Sequence, residues 1–308
     1  MNKYFTHYEI PGKLGKIFVV VEHYSENNQK VIGVATGVES VIVINSGMGM
    51  TGDVRKYVED ILGTDKTIEC VALTGQTDNV GALSAFDFCY LEPSEQETYC
   101  RVGSDPKTRR NLLKQLCEGN AETIAYGEHL TMDNRGIRFL PAGHGIDMGN
   151  LEVSEHMFDQ NGDGFMYHLG GTVVEMASLP AQSKGQLVAI SPTCCVSFVG
   201  TAIEPITRLD TLDRTGLEAY TAALEKFFKY SIADTPFSEG LGRTPHIYFT
   251  DHSAIPMQVK DVQNILDACR EVLAGKTEGD MPAGQGALRR IHFVENNGIV
   301  YDANRIRS

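Results

Sequence analysis

Five stretches with the character of buried strands each end in a short polar loop, and this feature limits the possible folds more than any other. Runs such as ESVIVINSGMGM (39–50) and IECVALTG (68–75) are rich in β-branched residues without alternation, as in strands covered on both faces. The loops are Asn45-Ser46-Gly47, Thr74 to Gly81, Pro180 to Gly185, Gly200-Thr201 and Asp251-His252. Because strand ends in a layered α/β fold gather along one edge, we expect a functional site there.

Strand and helix patterns fill most of the chain. Strands are predicted at 16–24, 30–37, 39–50, 68–75, 86–93, 194–200 and 245–250. Amphipathic helices are predicted at 52–62, 105–119, 215–231 and 259–275, and a hairpin around Asn297-Gly298. No low-complexity linker separates the two halves. The pattern therefore predicts one layered α/β domain over residues 1–308, with two packed sheets.

The net negative charge of the chain makes some classes of binding partner unfavourable. Twenty-seven Lys and Arg oppose 40 Asp and Glu, which gives a formal net charge of −13. Such a chain repels phosphate backbones and anionic lipids, so we expect neither a nucleic-acid nor a membrane partner. The first residues, MNKYFTHYEIPGKLG, have no apolar segment of the kind that signal peptides carry, and the seven Cys form no CxxC pair. A cytoplasmic location is the expectation.

The polar loops and their strands resemble the motifs of the metallo-β-lactamase superfamily. VIVINSG (41–47) resembles the strand that ends in Asp-Thr-Gly, and LTGQTDNVGAL (73–83) the Thr-His-x-His-x-Asp-His motif. Three further matches are HLGGTVVEMASLPAQSKGQ (168–186), FVGTAI (198–203) and YFTDHSAIP (248–256). Together they cover nearly the whole chain. The resemblance implies an αββα sandwich of the metallo-β-lactamase type.

Most positions that the resemblance assigns to metal ligands carry uncharged residues in this chain. Asp78 and His252 keep a ligand type, and Asn45 replaces the supporting Asp of the first motif. The other positions hold Thr74, Gln76, Asn79, Gln182 and Thr201. Catalytic zinc needs about three ligands from His, Asp, Glu or Cys, and hydroxyl and carboxamide oxygens are weak substitutes. We therefore expect no metal cofactor and no zinc-dependent hydrolysis.

The replacements are polar rather than apolar, which leaves two interpretations open. Buried polar groups cost free energy unless they are paired. The groups therefore either bond to one another, or they bind a small polar molecule. In the second case the predicted ligand-binding residues are Asn45, Thr74, Gln76, Asn79, His144, Gln182 and Thr201. His144 belongs to this set because insertions of its kind border the cleft in the resembled family.

Three alternatives stand beside the binding hypothesis. Asp78 and His252 are the titratable pair that the resemblance places in the pocket, and they suit a metal-independent acid/base enzyme. A scaffold or regulatory protein without catalysis is the second alternative. The third is a remodelled metal site made of His144, His156 and His252.

Two other signals are weaker. The segment FDQNGDGFM (158–166) resembles the start of a calcium loop, but position twelve is Gly170 instead of Glu. A turn between strands is the better interpretation. Cys194 and Cys195 are predicted to pack in the core from opposite faces of a strand, since no motif places a base beside either thiol.

Overall fold

The computed structural model describes residues 4–12, 15–49, 52–63, 66–86, 88–103, 105–119, 137–139, 151–152, 165–233, 245–284 and 288–307. A first sheet of seven strands runs in sequence order along its width. Its strands are β1 Phe5–Pro11, β2 Lys16–His23, β3 Gln29–Thr36, β4 Val41–Ile44, β5 Ile68–Val71, β6 Phe88–Leu91 and β7 Ile137–Phe139. β1 to β4 pair antiparallel, and β4 to β7 pair parallel.

Two further sheets use the rest of the chain. The remaining strands are β8 Leu151–Glu152, β9 Phe165–His168, β10 Val173–Ser178, β11 Leu187–Ser191, β12 Val196–Gly200, β13 Ile206–Arg208, β14 Ile247–Thr250, β15 Met257–Gln258, β16 Met281–Pro282, β17 Arg289–Val294 and β18 Asn297–Asp302. The second sheet has the order β15-β14-β12-β11-β10-β9-β8, with β12 and β14 parallel. The third, β13-β18-β17-β16, includes the hairpin predicted around Asn297-Gly298.

The helices cover the outer faces of the sheets. They are α1 Val54–Leu62, α2 Thr77–Val80, α3 Gln96–Thr98, α4 Pro106–Leu116, α5 Arg214–Ile232, α6 Val259–Leu273 and α7 Ala303–Arg307. Asp53 caps the start of α1, and Gly63 ends it in a left-handed conformation (φ 58°) that favours glycine. Among the described helices, none combines the length and apolar character that crossing a bilayer requires.

Three apolar cores show the order of the layers. Between the two large sheets, Ile17 and Ile44 from the first meet Met176 and Phe249 from the second. On the outer face of the first sheet, the core includes β2, β4, α1 and α2, and on the outer face of the second it includes β11, β12, α5 and α6. The layers are therefore helix, sheet, sheet, helix. This confirms the predicted layered α/β class and its αββα order.

Burial on both faces explains the unbroken apolar runs. Along β2, Ile17 and Val19 point into the inter-sheet core, while Phe18 and Val20 point toward α1. Because both faces are covered, apolar residues occupy consecutive positions from Ile17 to Val21. The strand predicted at 39–50 is shorter than expected and ends at Ile44, where the chain turns through a left-handed Asn45 (φ 64°).

Candidate functional site

Asn45 joins the ends of the two large sheets. Its Nδ2 donates to Asp251 Oδ1 over 3.0 Å, and its Oδ1 accepts from the backbone N–H of Leu73 over 2.8 Å. Asn45 follows β4, Leu73 follows β5, and Asp251 follows β14. The polar loops of both sheets therefore meet at one edge, as predicted.

A lysine that the sequence did not single out lies at the centre of this edge. Lys30, in β3, has no exposed side-chain surface. Its Nζ lies 2.8 Å from Asp251 Oδ2 and 3.0 Å from Asp78 Oδ2, and it also donates to Asn79 Oδ1. A buried ammonium is tolerated only when it is paired and its N–H donors are satisfied. Asp78 and Asn79 accept hydrogen bonds from the ammonium, and Asp251 Oδ2 pairs with its charge without forming a hydrogen bond.

The charges of this cluster stabilise one another. Burial lowers the pKa of Lys30, but the carboxylates of Asp251 and Asp78 outweigh that effect and raise the pKa above its ordinary value. Burial raises the pKa of Asp78, but Lys30 and the hydrogen bond from His252 outweigh it and hold the pKa well below its ordinary value. Lys30 is therefore an ammonium, and Asp78 a carboxylate, across the neutral pH range.

His252 lies at the solvent side of the cluster, with about half of its side chain exposed. Its Nε2 is 3.3 Å from Asp78 Oδ2, and its Nδ1 is 3.5 Å from Glu204 Oε1. Burial lowers the pKa of His252, and so does Lys30, but the contacts to Asp78 and Glu204 and the charge of Asp251 raise it to about 9. The ring is therefore an imidazolium at neutral pH, with both N–H groups directed at carboxylates.

The raised pKa of His252 predicts a loss of stability in alkali. The pKa is 6.5 for an unperturbed His and about 9 in the fold, so the stabilisation is complete below pH 6.5 and is lost as the pH rises through about 9. Because water screens a half-exposed pair, we expect about 1 kcal/mol or less from it. In urea unfolding, the free energies of unfolding of the wild type and of His252→Gln should differ at pH 6 and agree at pH 10. These two pH values lie on either side of the titration of His252.

A second histidine provides the control for this pH dependence. His23 has a pKa below 6.5, because burial disfavours its charged form. The difference in the free energy of unfolding between the wild type and His23→Gln should therefore stay constant between neutral pH and pH 10. A His252→Gln difference that also stays constant would contradict the expected pairing of His252 with the carboxylates.

The uncharged residues after β5 bond to one another. Asn79 Nδ2 donates to Thr74 Oγ1 over 2.6 Å, and the backbone N–H of Gln76 lies 3.3 Å from the same oxygen. Thr74 and Asn79 are buried, whereas the side chain of Gln76 is exposed. Two of the predicted ligand-binding residues thus satisfy each other, and Gln76 faces outward.

A separate pair of contacts joins the loops after β10 and β12. Gln186 Nε2 donates to Thr201 Oγ1 over 2.9 Å, and its Oε1 accepts from the backbone N–H of Gln182 over 3.0 Å. The exposed side chain of Gln182 reaches the backbone oxygen of Thr201 over 3.5 Å. The predicted residues therefore form two groups, one around Lys30 and one around Gln186.

The residues at this edge do not suit a zinc centre. The donors are mainly hydroxyls and carboxamides, which bind transition metals weakly. The position between Asp78 and Asp251 is taken by the Lys30 ammonium, which repels a second cation. Within the described ranges, no group of three or more His, Cys, Asp or Glu could hold a metal ion.

A cavity of about 300 Å³ lies beside Asp78. The helix α4 contributes residues at positions 108, 111, 112 and 115, a spacing that places them on one helical face. The lining residues are Gln76, Thr77, Asp78, Thr108, Asn111, Leu112 and Gln115. Six of these seven have polar side chains, and Asp78 is the one that carries a charge. The cavity can therefore offer hydrogen bonds to a ligand in contact with the Lys30 cluster.

Three charged residues at this edge were not among the predicted site residues. Lys30 and Asp251 form the central ion pair, and the buried Glu95 accepts hydrogen bonds from the backbone N–H groups of Gly75 (2.8 Å) and Gly185 (3.1 Å). Asp251 directly precedes a predicted site residue, which was a usable signal. A Lys at the start of an apolar run ordinarily extends into solvent, so the sequence contained no comparable signal for Lys30.

Some predictions fall elsewhere. His144, His156 and most of the segment 158–166 lie outside the described residues. Cys194 and Cys195 are buried, and burial raises the pKa of both thiols, which agrees with packing rather than nucleophilic chemistry. The prediction that they face opposite sides of a strand is wrong. Both lie in the turn before β12, where Cys195 adopts a left-handed conformation (φ 55°).

Comparison with known proteins finds similarity among solved structures. No protein-family model matches the sequence, and no curated protein matches it. Among solved structures, the chain is similar to a metallo-beta-lactamase from Pontibacter korlensis, with 11% sequence identity and a TM-score of 0.46. The similarity covers 84% of this chain and 96% of that one. The αββα order of layers is seen directly in the sheets and cores of the present chain.

Proposed function

We propose that this protein binds a small, uncharged polar molecule beside the Lys30 cluster and does not catalyse zinc-dependent hydrolysis. The observation that carries the proposal is the Lys30 ammonium, which pairs with Asp78 and Asp251 among the positions that resemble a metal site. A site built on a fixed ammonium has no metal-bound hydroxide to act as nucleophile. What it retains is a set of oriented hydrogen-bonding groups.

The cavity beside Asp78 supports the ligand-binding part of this proposal. Its lining includes hydroxyl and carboxamide groups but no Lys or Arg, so an anionic ligand would find no cation there. Asp78 is already paired with Lys30 and His252, which weakens its attraction for a cationic ligand. A neutral molecule with several donors and acceptors, such as a sugar, polyol or small amide, fits this lining. The cavity also favours ligand binding over a scaffold that binds none.

Metal content tests the first part of the proposal. We expect less than about 0.1 equivalent of zinc, iron or manganese by inductively coupled plasma mass spectrometry, because the donors present bind these metals weakly. The protein should be purified without a metal-binding tag. One equivalent or more that survives dialysis would contradict the proposal.

Binding of defined probes tests the second part. We expect calorimetric titration with a panel of neutral sugars, polyols and small amides to give at least one saturable ligand. Asn111→Ala and Gln115→Ala should each lower the affinity for that ligand about fivefold, since a lost hydrogen bond is worth about 1 kcal/mol. Lys114→Ala, an exposed change on the same helix and outside the cavity lining, should leave the affinity unchanged. A ligand whose affinity changes in none of the three variants would bind elsewhere, which would contradict the proposed site.

A metal-independent enzyme is a second candidate, supported by the contact between Asp78 and His252. The pKa of about 9 makes His252 a proton donor at neutral pH, so general-acid chemistry suits it better than general-base chemistry. An activity of this kind should fall with His252→Gln and should decline as the pH rises through about 9. Full activity in His252→Gln would exclude this candidate.

A further inference from the structure

The ammonium of Lys30 is held by oxygens from two distant parts of the chain. Asp78 and Asn79 follow β5, whereas Asp251 follows β14 in the other large sheet. The side chain of Lys30 is fully buried, and that of Asp251 is 3% exposed. An ammonium has three N–H donors and no acceptor, and here it has three oxygen partners. The contacts to Asp78 and Asn79 are hydrogen bonds, and the contact to Asp251 is an ion pair.

The chemistry of these partners suits an ammonium rather than a metal ion. The two carboxylate oxygens lie 2.8 and 3.0 Å from the nitrogen, the usual distance between the ammonium and the carboxylate of an ion pair. Zinc and magnesium require oxygens at about 2.0–2.2 Å and a fuller set of strong ligands. The described residues contain no such set.

The positive charge is needed because two carboxylates share this enclosed position. Asp78 and Asp251 both contact Lys30 Nζ. If the ammonium were removed, the two carboxylates would face each other across the space that it leaves. Like charges in a site of low dielectric constant repel strongly. His252 lies on the solvent side and contacts only Asp78 of the two. The charge of His252 acts on Asp251 only from a distance, so it does not replace the direct ion pair with Lys30.

We propose that Lys30 supplies, from within the chain, the cation that this edge of the fold requires, and that the space occupied by its side chain is a binding site for a primary ammonium. Lys30 is then a positioning residue, which fixes Asp78 and, through it, His252. Shortening the side chain should expose the site to free alkylammonium ions. The inference does not depend on which ligand occupies the neighbouring cavity.

Chemical rescue of Lys30→Ala tests this proposal. The substitution removes three methylene groups and the ammonium, so n-propylammonium is the matching fragment. The folding equilibrium constant of Lys30→Ala should fall at least about a hundredfold, because buried carboxylates lose their partner. Propylammonium at ten times its dissociation constant should raise that constant about elevenfold. Urea unfolding followed by circular dichroism measures both effects.

The controls distinguish a specific ammonium site from a general effect of an added solute on stability. 1-Propanol matches the size without the charge, and tetramethylammonium matches the charge without N–H donors, so neither should rescue the variant. Lys16→Ala removes an exposed lysine that pairs with Glu9, and propylammonium should not affect it. Rescue by zinc or magnesium that exceeds rescue by propylammonium would overturn the proposal, as would equal rescue by propanol. Wild-type stability of Lys30→Ala, or a destabilised variant that no ammonium rescues, would also overturn it.

Refolding provides the same comparison if Lys30→Ala is insoluble. The variant would be diluted from urea with propylammonium, propanol or neither. A higher yield of folded protein with propylammonium alone supports the proposal. Equal yields in all three conditions overturn it.

Discussion

Asp251→Ala is expected to lower the free energy of unfolding by about 3–5 kcal/mol, the usual cost of removing one partner from a buried ion pair. The substitution takes away the carboxylate 2.8 Å from Lys30 and the acceptor of the Asn45 carboxamide. Lys30 then retains one carboxylate for a fully buried charge. Urea unfolding of the wild type and the variant measures the difference.

A double mutant distinguishes loss of the ion pair from general disruption. Lys30→Met combined with Asp251→Ala removes both charges, so its cost should be at least about 1 kcal/mol smaller than the sum of the two single costs. Asp267→Ala is the surface control, because its carboxylate is 41% exposed and pairs with Arg270. That change should cost about 0–1 kcal/mol. If the double mutant lost as much unfolding free energy as the two single variants together, the coupling between Lys30 and Asp251 would be refuted.

Glu95→Leu is expected to lower the free energy of unfolding by about 2–4 kcal/mol. Glu95 is completely buried, and its two carboxylate oxygens accept from the backbone N–H groups of Gly75 and Gly185. Leucine has a similar size but no acceptor, so two buried N–H groups lose their partners at about 1–3 kcal/mol each. Urea unfolding measures the loss.

Hydrogen exchange locates the effect of Glu95→Leu. The amides of Gly75 and Gly185 should exchange faster in the variant, because both loops lose the acceptor that joins them. Glu97→Leu is the control, since Glu97 is exposed on the same segment and its replacement should change stability by about 0.5 kcal/mol or less. Unchanged exchange at both glycines would show that Glu95 does not hold these loops.

The layered fold was predictable from the sequence because its strands are buried on both faces. The apolar runs in β2 and β4 and the end of α1 at Gly63 follow from local rules of burial and capping. The contact between Asp78 and His252 followed from the resemblance, and the two side chains lie 3.3 Å apart. Their catalytic role remains a prediction.

The centre of the candidate site was not predictable from local patterns. Lys30 lies 48 positions before Asp78 and much further from Asp251, so the cluster depends on how the two large sheets pack. A lysine at the start of a strand ordinarily reaches water, and here the packing of the two large sheets prevents it. Thr74 and Asn79 illustrate the same limit, because their polarity was evident but their pairing with each other was not.

The link between Lys30 and Asp251 also has a consequence for the order of events during synthesis. The ribosome releases Lys30, Asn45 and Asp78 long before Asp251, and β14 must then pair with β12 to bring Asp251 to this edge. Until that happens, the lysine charge lacks one of its carboxylates and the backbone N–H of Val31 lacks its acceptor, the carbonyl oxygen of Asp251. Contacts so distant in sequence form late and slow folding. In a nascent chain, Lys30 and the N–H of Val31 therefore gain these partners only after the segment around Asp251 has emerged.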